Sequence, residues 1–85
     1  MEYRGSRRAN KVTITFKPLW KLLIDRDMTR EDLRRQTRLS PATIAKLGRD
    51  GNVTTDVLAR ICTALECDVA DICAAVALNE DGVND

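Results

Sequence analysis

The stretch Met28-Thr29-Arg30-Glu31-Asp32-Leu33-Arg34-Arg35-Gln36-Thr37-Arg38-Leu39-Ser40-Pro41-Ala42-Thr43-Ile44-Ala45-Lys46-Leu47 decides the fold, because it holds two helix starts eleven residues apart. Thr29 with Asp32 three residues on predicts a capping box, with Asp standing where Glu or Gln is usual. Ser40-Pro41 predicts a second start: a hydroxyl cap, then a proline where no amide donor is needed. Leu33 points inward from the first helix, Ile44 and Leu47 from the second, and Leu39 fills the corner. Two short helices joined by a tight turn make a helix-turn-helix.

Working outward, Pro18 opens an earlier helix running to about Asp27, with Leu19, Leu22 and Leu23 as its inward stripe and Trp20 at the core edge. Gly48-Arg49-Asp50-Gly51-Asn52 breaks the pattern and reads as a loop. Thr54 or Thr55 caps a fourth helix that turns Leu58, Ile61, Cys62 and Leu65 to one side. Asp68 is expected to cap a fifth helix, with Val69, Ile72 and Val76 facing inward. Val12-Thr13-Ile14-Thr15-Phe16 alternates and is rich in β-branched residues, which favours a strand. A single strand is not stable alone, so it must pair with the C-terminal region or with its copy in a second chain; the alternative is an extended lead-in that packs Ile14 or Phe16 on the core. The expected fold class is all-α, five helices, with or without that short N-terminal β-strand. The expected organisation is a flexible basic arm (1–11), a helix-turn-helix domain (12–78) and an acidic tail (79–85).

The chain has 85 residues and is 44% hydrophobic, enough for one core but not for a large buried catalytic cavity. No apolar run approaches the roughly 20 residues of a membrane span, and Met1-Glu2-Tyr3-Arg4 does not open a signal peptide. A cytoplasmic location is expected. The net charge of +1 hides an asymmetry: residues 1–49 hold thirteen Lys/Arg and five Asp/Glu, whereas residues 50–85 hold one Arg and eight Asp/Glu. A net +8 half beside a net −7 half suggests a basic face for a polyanion and an acidic face turned away from it. There is no histidine, no phosphate-binding glycine loop and no nucleophile with an evident base, so an enzyme is not expected. The three cysteines, Cys62, Cys67 and Cys73, form no CxxC pair. Neither a metal site nor a cofactor is implied, and Cys62 reads as a small apolar core residue.

Five short helices, with the helix-turn-helix as second and third, resemble the lambda-repressor-like (Cro-type, XRE) DNA-binding domains, and in particular their short single-domain subfamily. The stretches that carry the likeness are Leu19-Trp20-Lys21-Leu22-Leu23-Ile24-Asp25, Ser40-Pro41-Ala42-Thr43-Ile44-Ala45-Lys46-Leu47-Gly48, Asn52-Val53-Thr54-Thr55-Asp56-Val57-Leu58 and Ile61-Cys62-Thr63-Ala64-Leu65-Glu66-Cys67-Asp68. One departure stands in the turn, where the family usually has glycine and this chain has Arg38. Either the turn takes another shape here, or it carries roughly 1 kcal/mol of strain at a positive φ.

On the helix beginning at Pro41, Ile44 and Leu47 face the core, which leaves Ala42, Thr43 and Lys46 outward with Ala45 intermediate. These three are the candidate base contacts: a hydroxyl for a base edge, methyls for thymine and an ammonium for guanine acceptors or a phosphate. The resemblance puts the start of the second helix, Thr29 and Arg30, on the phosphate backbone, where helix-start amides assist. Ser40, Arg49, Asn52 and Thr54 are further phosphate candidates in the cap and the following loop, and Arg34, Arg35 and Arg38 are additional DNA contacts on or near the same side. The arginines Arg4, Arg7 and Arg8 of the arm can follow phosphates or enter a minor groove. The resemblance implies a homodimer on double-stranded DNA. The competing reading is a protein-interaction module or antitoxin-like protein that uses the same fold, with the acidic half as its surface.

Overall fold

The computed structural model describes residues 11–78; the arm up to residue 10 and the tail 79–85 lie outside the described residues. The order is β1 (Lys11–Thr15), α1 (Lys17–Asp25), α2 (Arg30–Thr37), α3 (Pro41–Gly48), α4 (Thr55–Leu65), a 3₁₀ turn (Val69–Asp71) and β2 (Ala74–Leu78). The arm boundary therefore moves by one residue, since Lys11 already belongs to β1.

Both capping expectations of the central segment hold. Thr29 Oγ1 accepts from the Asp32 amide at 3.0 Å, and the Asp32 carboxylate accepts from the Thr29 amide at 2.9 Å. Ser40 Oγ accepts from the Thr43 amide at 3.1 Å, with Pro41 at the first helical position. Between the helices, Arg38 takes φ 62° and ψ 28°, so the glycine-type turn is retained and the strained alternative applies. Thr37 braces it: the buried hydroxyl donates to Leu33 O at 2.7 Å and accepts from the Leu39 amide at 3.3 Å. Leu39 is thereby held in the corner, buried.

α1 has no side-chain cap of its own. Its start is held from 34 residues away by Asp50, whose carboxylate accepts from the Phe16 amide at 2.8 Å and from the Thr15 hydroxyl at 3.2 Å. The helix stops at Asp25 rather than about Asp27, because Asp27 turns left-handed (φ 56°) and Met28 N–H donates back to Leu23 O at 2.9 Å. α4 starts at the Thr54 cap, whose hydroxyl accepts from the Val57 amide.

The five-helix expectation fails at the C-terminal end. Asp68 does cap, in a box with Asp71, but only one 3₁₀ turn follows, and residues 74–78 form a strand. β2 pairs antiparallel with β1, from Lys11↔Leu78 to Thr15↔Ala74. The alanine-rich run has helical propensity, but so short a helix is marginal in water. Pairing satisfies both backbones at once, so the tertiary partner decides. Ile72 is fully buried as expected, whereas Val69 (45% exposed) and Val76 (40%) are not inward-facing. Of the two lead-in residues, Phe16 packs on the core and Ile14 stays exposed.

Leu19, Leu33, Leu47, Ile61, Leu65 and Ile72 are shut off from solvent, so α1 to α4 and the 3₁₀ turn share one core. Leu22, Leu58 and Cys62 pack against it half-buried. None of the helices described is long and apolar enough to cross a membrane.

Candidate nucleic-acid interface

α3 buries Ile44 and Leu47 and leaves Pro41, Ala42, Ala45, Lys46 and Arg49 exposed. At 3.6 residues per turn, 42, 45, 46 and 49 form one continuous outer stripe. This corrects the sequence reading at two positions. Ala45 belongs to the stripe, and Thr43 lies half-buried on its flank. The reason is local: Thr43 Oγ1 accepts from Ser40 Oγ at 3.0 Å while its amide donates to the same oxygen, so the side chain is drawn back to the cap. Its hydroxyl proton stays free to donate.

The cations divide by whether a carboxylate already holds them. Arg34 Nε donates to Glu31 Oε1 at 3.1 Å in a bidentate pair, and Arg35 Nη2 donates to Asp32 Oδ1 at 2.9 Å. The Arg34 hydrogen bond holds Glu31 below the usual carboxylate range. Asp32 is lowered first by the Thr29 amide and then by Arg35. Arg30, Arg38, Lys46 and Arg49 have no such carboxylate partner among the described residues. The candidate set thus separates into four cations open to an anion and two that must first give up a partner.

Arg30 is the most firmly placed of the four. Its guanidinium carbon lies 4.0 Å from the centroid of the Trp20 ring. Gly48, at the end of α3, is close as well: a Cβ there would come within 2.8 Å of Arg30 Nη1. The cation therefore lies against both α1 and α3 at the first turn of α2, with a cation–π contact to Trp20. With Glu31, Arg34, Pro41 and Ile44, Arg30 lines a hollow of about 170 Å³ between α2 and α3. The sequence assigned Trp20 to the core edge, which is correct, but gave no sign that Arg30 meets Trp20 and Gly48.

Arg49 lies against its own helix, Nη1 donating to Ala45 O at 3.4 Å. Asn52 and Thr54 are exposed on the loop leading into α4, and that loop is pinned by Gly51 N–H donating to Lys46 O at 2.8 Å. Ser40, Thr29 and Thr54 each give a lone pair to a helix-start amide; Thr29 and Thr54 retain a hydroxyl proton, whereas that of Ser40 is donated to Thr43 Oγ1. Among the described residues, no three Cys, Asp or Glu side chains gather to hold a metal ion.

This arrangement, an exposed second helix with cations around it, defines a helix-turn-helix domain. Residues 18–77 match the Cro/C1-type HTH DNA-binding domain, and the chain belongs to that family. Among solved structures it is similar to the crystal structure of the transcriptional regulator VanUg, form II. The two are 40% identical, the match covers 91% of this chain and 95% of that one, and the TM-score is 0.75. None of the curated proteins compared with it matches.

Proposed function

We propose that this protein is a sequence-specific transcriptional regulator, a repressor, that inserts α3 into the major groove of double-stranded DNA as a homodimer. The observation that carries this reading is the exposed stripe Ala42, Ala45, Lys46 and Arg49 on a helix whose opposite side is locked into the core. Family membership and the likeness to a transcriptional regulator support it. Ala42, Thr43 and Lys46 serve as base contacts, joined by Ala45. Thr29, Arg30, Ser40, Arg49, Asn52 and Thr54 serve as phosphate contacts, with Arg38 beside them. Arg34 and Arg35 join only by leaving Glu31 and Asp32. Two alanine methyls, one threonine and one lysine make a sparse reading head, so DNA shape and backbone contacts supply a large share of the affinity.

A second copy completes the reader. Register and alternation place Val12, Ile14, Ala75 and Ala77 on one face of the two-stranded sheet, all exposed and uncharged. Such a face suits a twofold contact, and a dimer would set two α3 helices one helical turn of DNA apart. Residues 11–78 act as the reading unit, flanked by the basic arm 1–10 and the acidic tail 79–85. Occupancy of a promoter in the cytoplasm suffices for repression and calls for no chemistry by the protein itself.

Selection of bound fragments from random DNA tests the reading. A recovered palindrome, with log affinity falling linearly in log salt, supports it. Absence of retained DNA together with one stoichiometric protein partner in a pull-down would transfer the assignment to a protein-interaction module.

A further inference from the structure

α4 ends in a turn that faces two cysteines toward each other. Glu66 takes φ 52° and ψ 55°. The Cys67 amide donates to Cys62 O at 3.1 Å, and the Glu66 amide donates to Thr63 O at 3.4 Å. This nested pair of bonds is a Schellman motif, whose geometry brings the side chains at its two ends into contact. Elsewhere those ends are commonly apolar; here they are thiols. Both are half-buried, reduced and packed beside the core. The proximity registers at Cys67. Burial pushes the Cys67 thiol up, and the charge and hydrogen bonding of Cys62 push it further; Asp71 also raises it, while Arg26 lowers it. Arg26 is in place because its guanidinium donates to Leu65 O at the end of the same helix. At Cys73 burial raises the thiol first and the Cys62 charge, also within reach, raises it further, but Cys73 is outside the Schellman turn and its own thiol donates to Val69 O at 3.6 Å.

We propose that Cys62 and Cys67 form an oxidation site, at which hydrogen peroxide links them in an intramolecular disulfide across the end of α4 while Cys73 remains a thiol. One thiolate attacks the peroxide oxygen, the O–O bond breaks, and a sulfenic acid forms as water leaves. The second thiol attacks that sulfur, the S–S bond forms and a second water leaves. Two electrons pass from the two sulfurs to the peroxide, and the two thiol protons leave in the waters.

The test treats the full chain with hydrogen peroxide and follows free thiols, intact mass and linkage. The expected result is loss of two of the three thiols, an intact mass lower by about two units, and a reductant-reversible link between Cys62 and Cys67. Cleavage at Glu66 and Asp71 separates all three cysteines and identifies the partners. Cys73→Ala should leave the bond intact, and Cys67→Ala should abolish it. Circular dichroism checks that each variant folds, and should one not fold, the linkage map of the unmodified chain decides. A Cys62–Cys73 link, a link between chains, or sulfinic acid without any link would each overturn the assignment.

Discussion

Arg30 shows how a single side chain joins fold to function. Its guanidinium already rests against Trp20 and Gly48, so on the proposed reading less side-chain freedom is lost when it meets an anion. Gly48→Ala should separate its two roles. A helical glycine replaced by alanine gains up to about 1 kcal/mol of helix stability, yet the added methyl lies on the Arg30 guanidinium and displaces it. The expected outcome is an unchanged or higher melting midpoint with several-fold weaker DNA binding; unaltered affinity would remove Arg30 from the contact set. Arg38 offers the converse. Its left-handed backbone carries strain of about 1 kcal/mol, so Arg38→Gly should raise stability by up to that amount in denaturant titration while removing a cation near the interface. The capping residues Thr29 and Ser40 were legible in the sequence because each partner lies three residues on, and Thr54 was legible as one of two candidates with Thr55. The exchange of Thr43 for Ala45 on the outer stripe was not. Helical phase alone places residue 43 near the edge, and only the hydroxyl–hydroxyl bond to Ser40 draws it back.

At the scale of elements, α2 carries a charge pattern that suits its start. Glu31 and Asp32 lie in the first turn and Arg34 and Arg35 in the last, in accord with the helix dipole. Both carboxyls titrate below their ordinary range in the folded chain. A depressed folded pKa adds stability above the unfolded value and loses it as pH falls through the folded one. The first turn of α2 should therefore loosen on acidification below the usual carboxylate range near pH 4, seen as a fall in the amide-exchange protection factors at Asp32 and Leu33. Asp32→Asn should flatten that response, and protection factors independent of pH in the unmodified chain would contradict the capping account. α1 was legible from Pro18 and its apolar stripe, and α2 to α4 from caps and apolar spacing. A C-terminal partner for β1 was legible only as one of two pairings, and its residues were not, because Ala74-Ala75-Val76-Ala77-Leu78 becomes a strand only through β1, some sixty residues away in the sequence.

Across the whole molecule, long-range ties hold α3 in register with the rest. Asp50 joins the end of α3 to the start of α1, and Arg30 of α2 lies against both Trp20 of α1 and Gly48 of α3. No pattern of spacing announces such contacts, so the sequence pointed to α3 as the helix proposed to read DNA but not to what steadies it. The charge asymmetry was legible as a property of the two halves. The structure refines it: Arg34 and Arg35 are already paired within α2, while Arg30, Arg38, Lys46 and Arg49 are not. The most direct test compares Lys46→Ala with the unmodified chain on a selected DNA site and on a scrambled one. The account predicts a loss of about 1–3 kcal/mol on the selected site, a much smaller loss on the scrambled one, and an unchanged fold. Equal affinity of the two proteins for the selected site would contradict α3 as the reading helix.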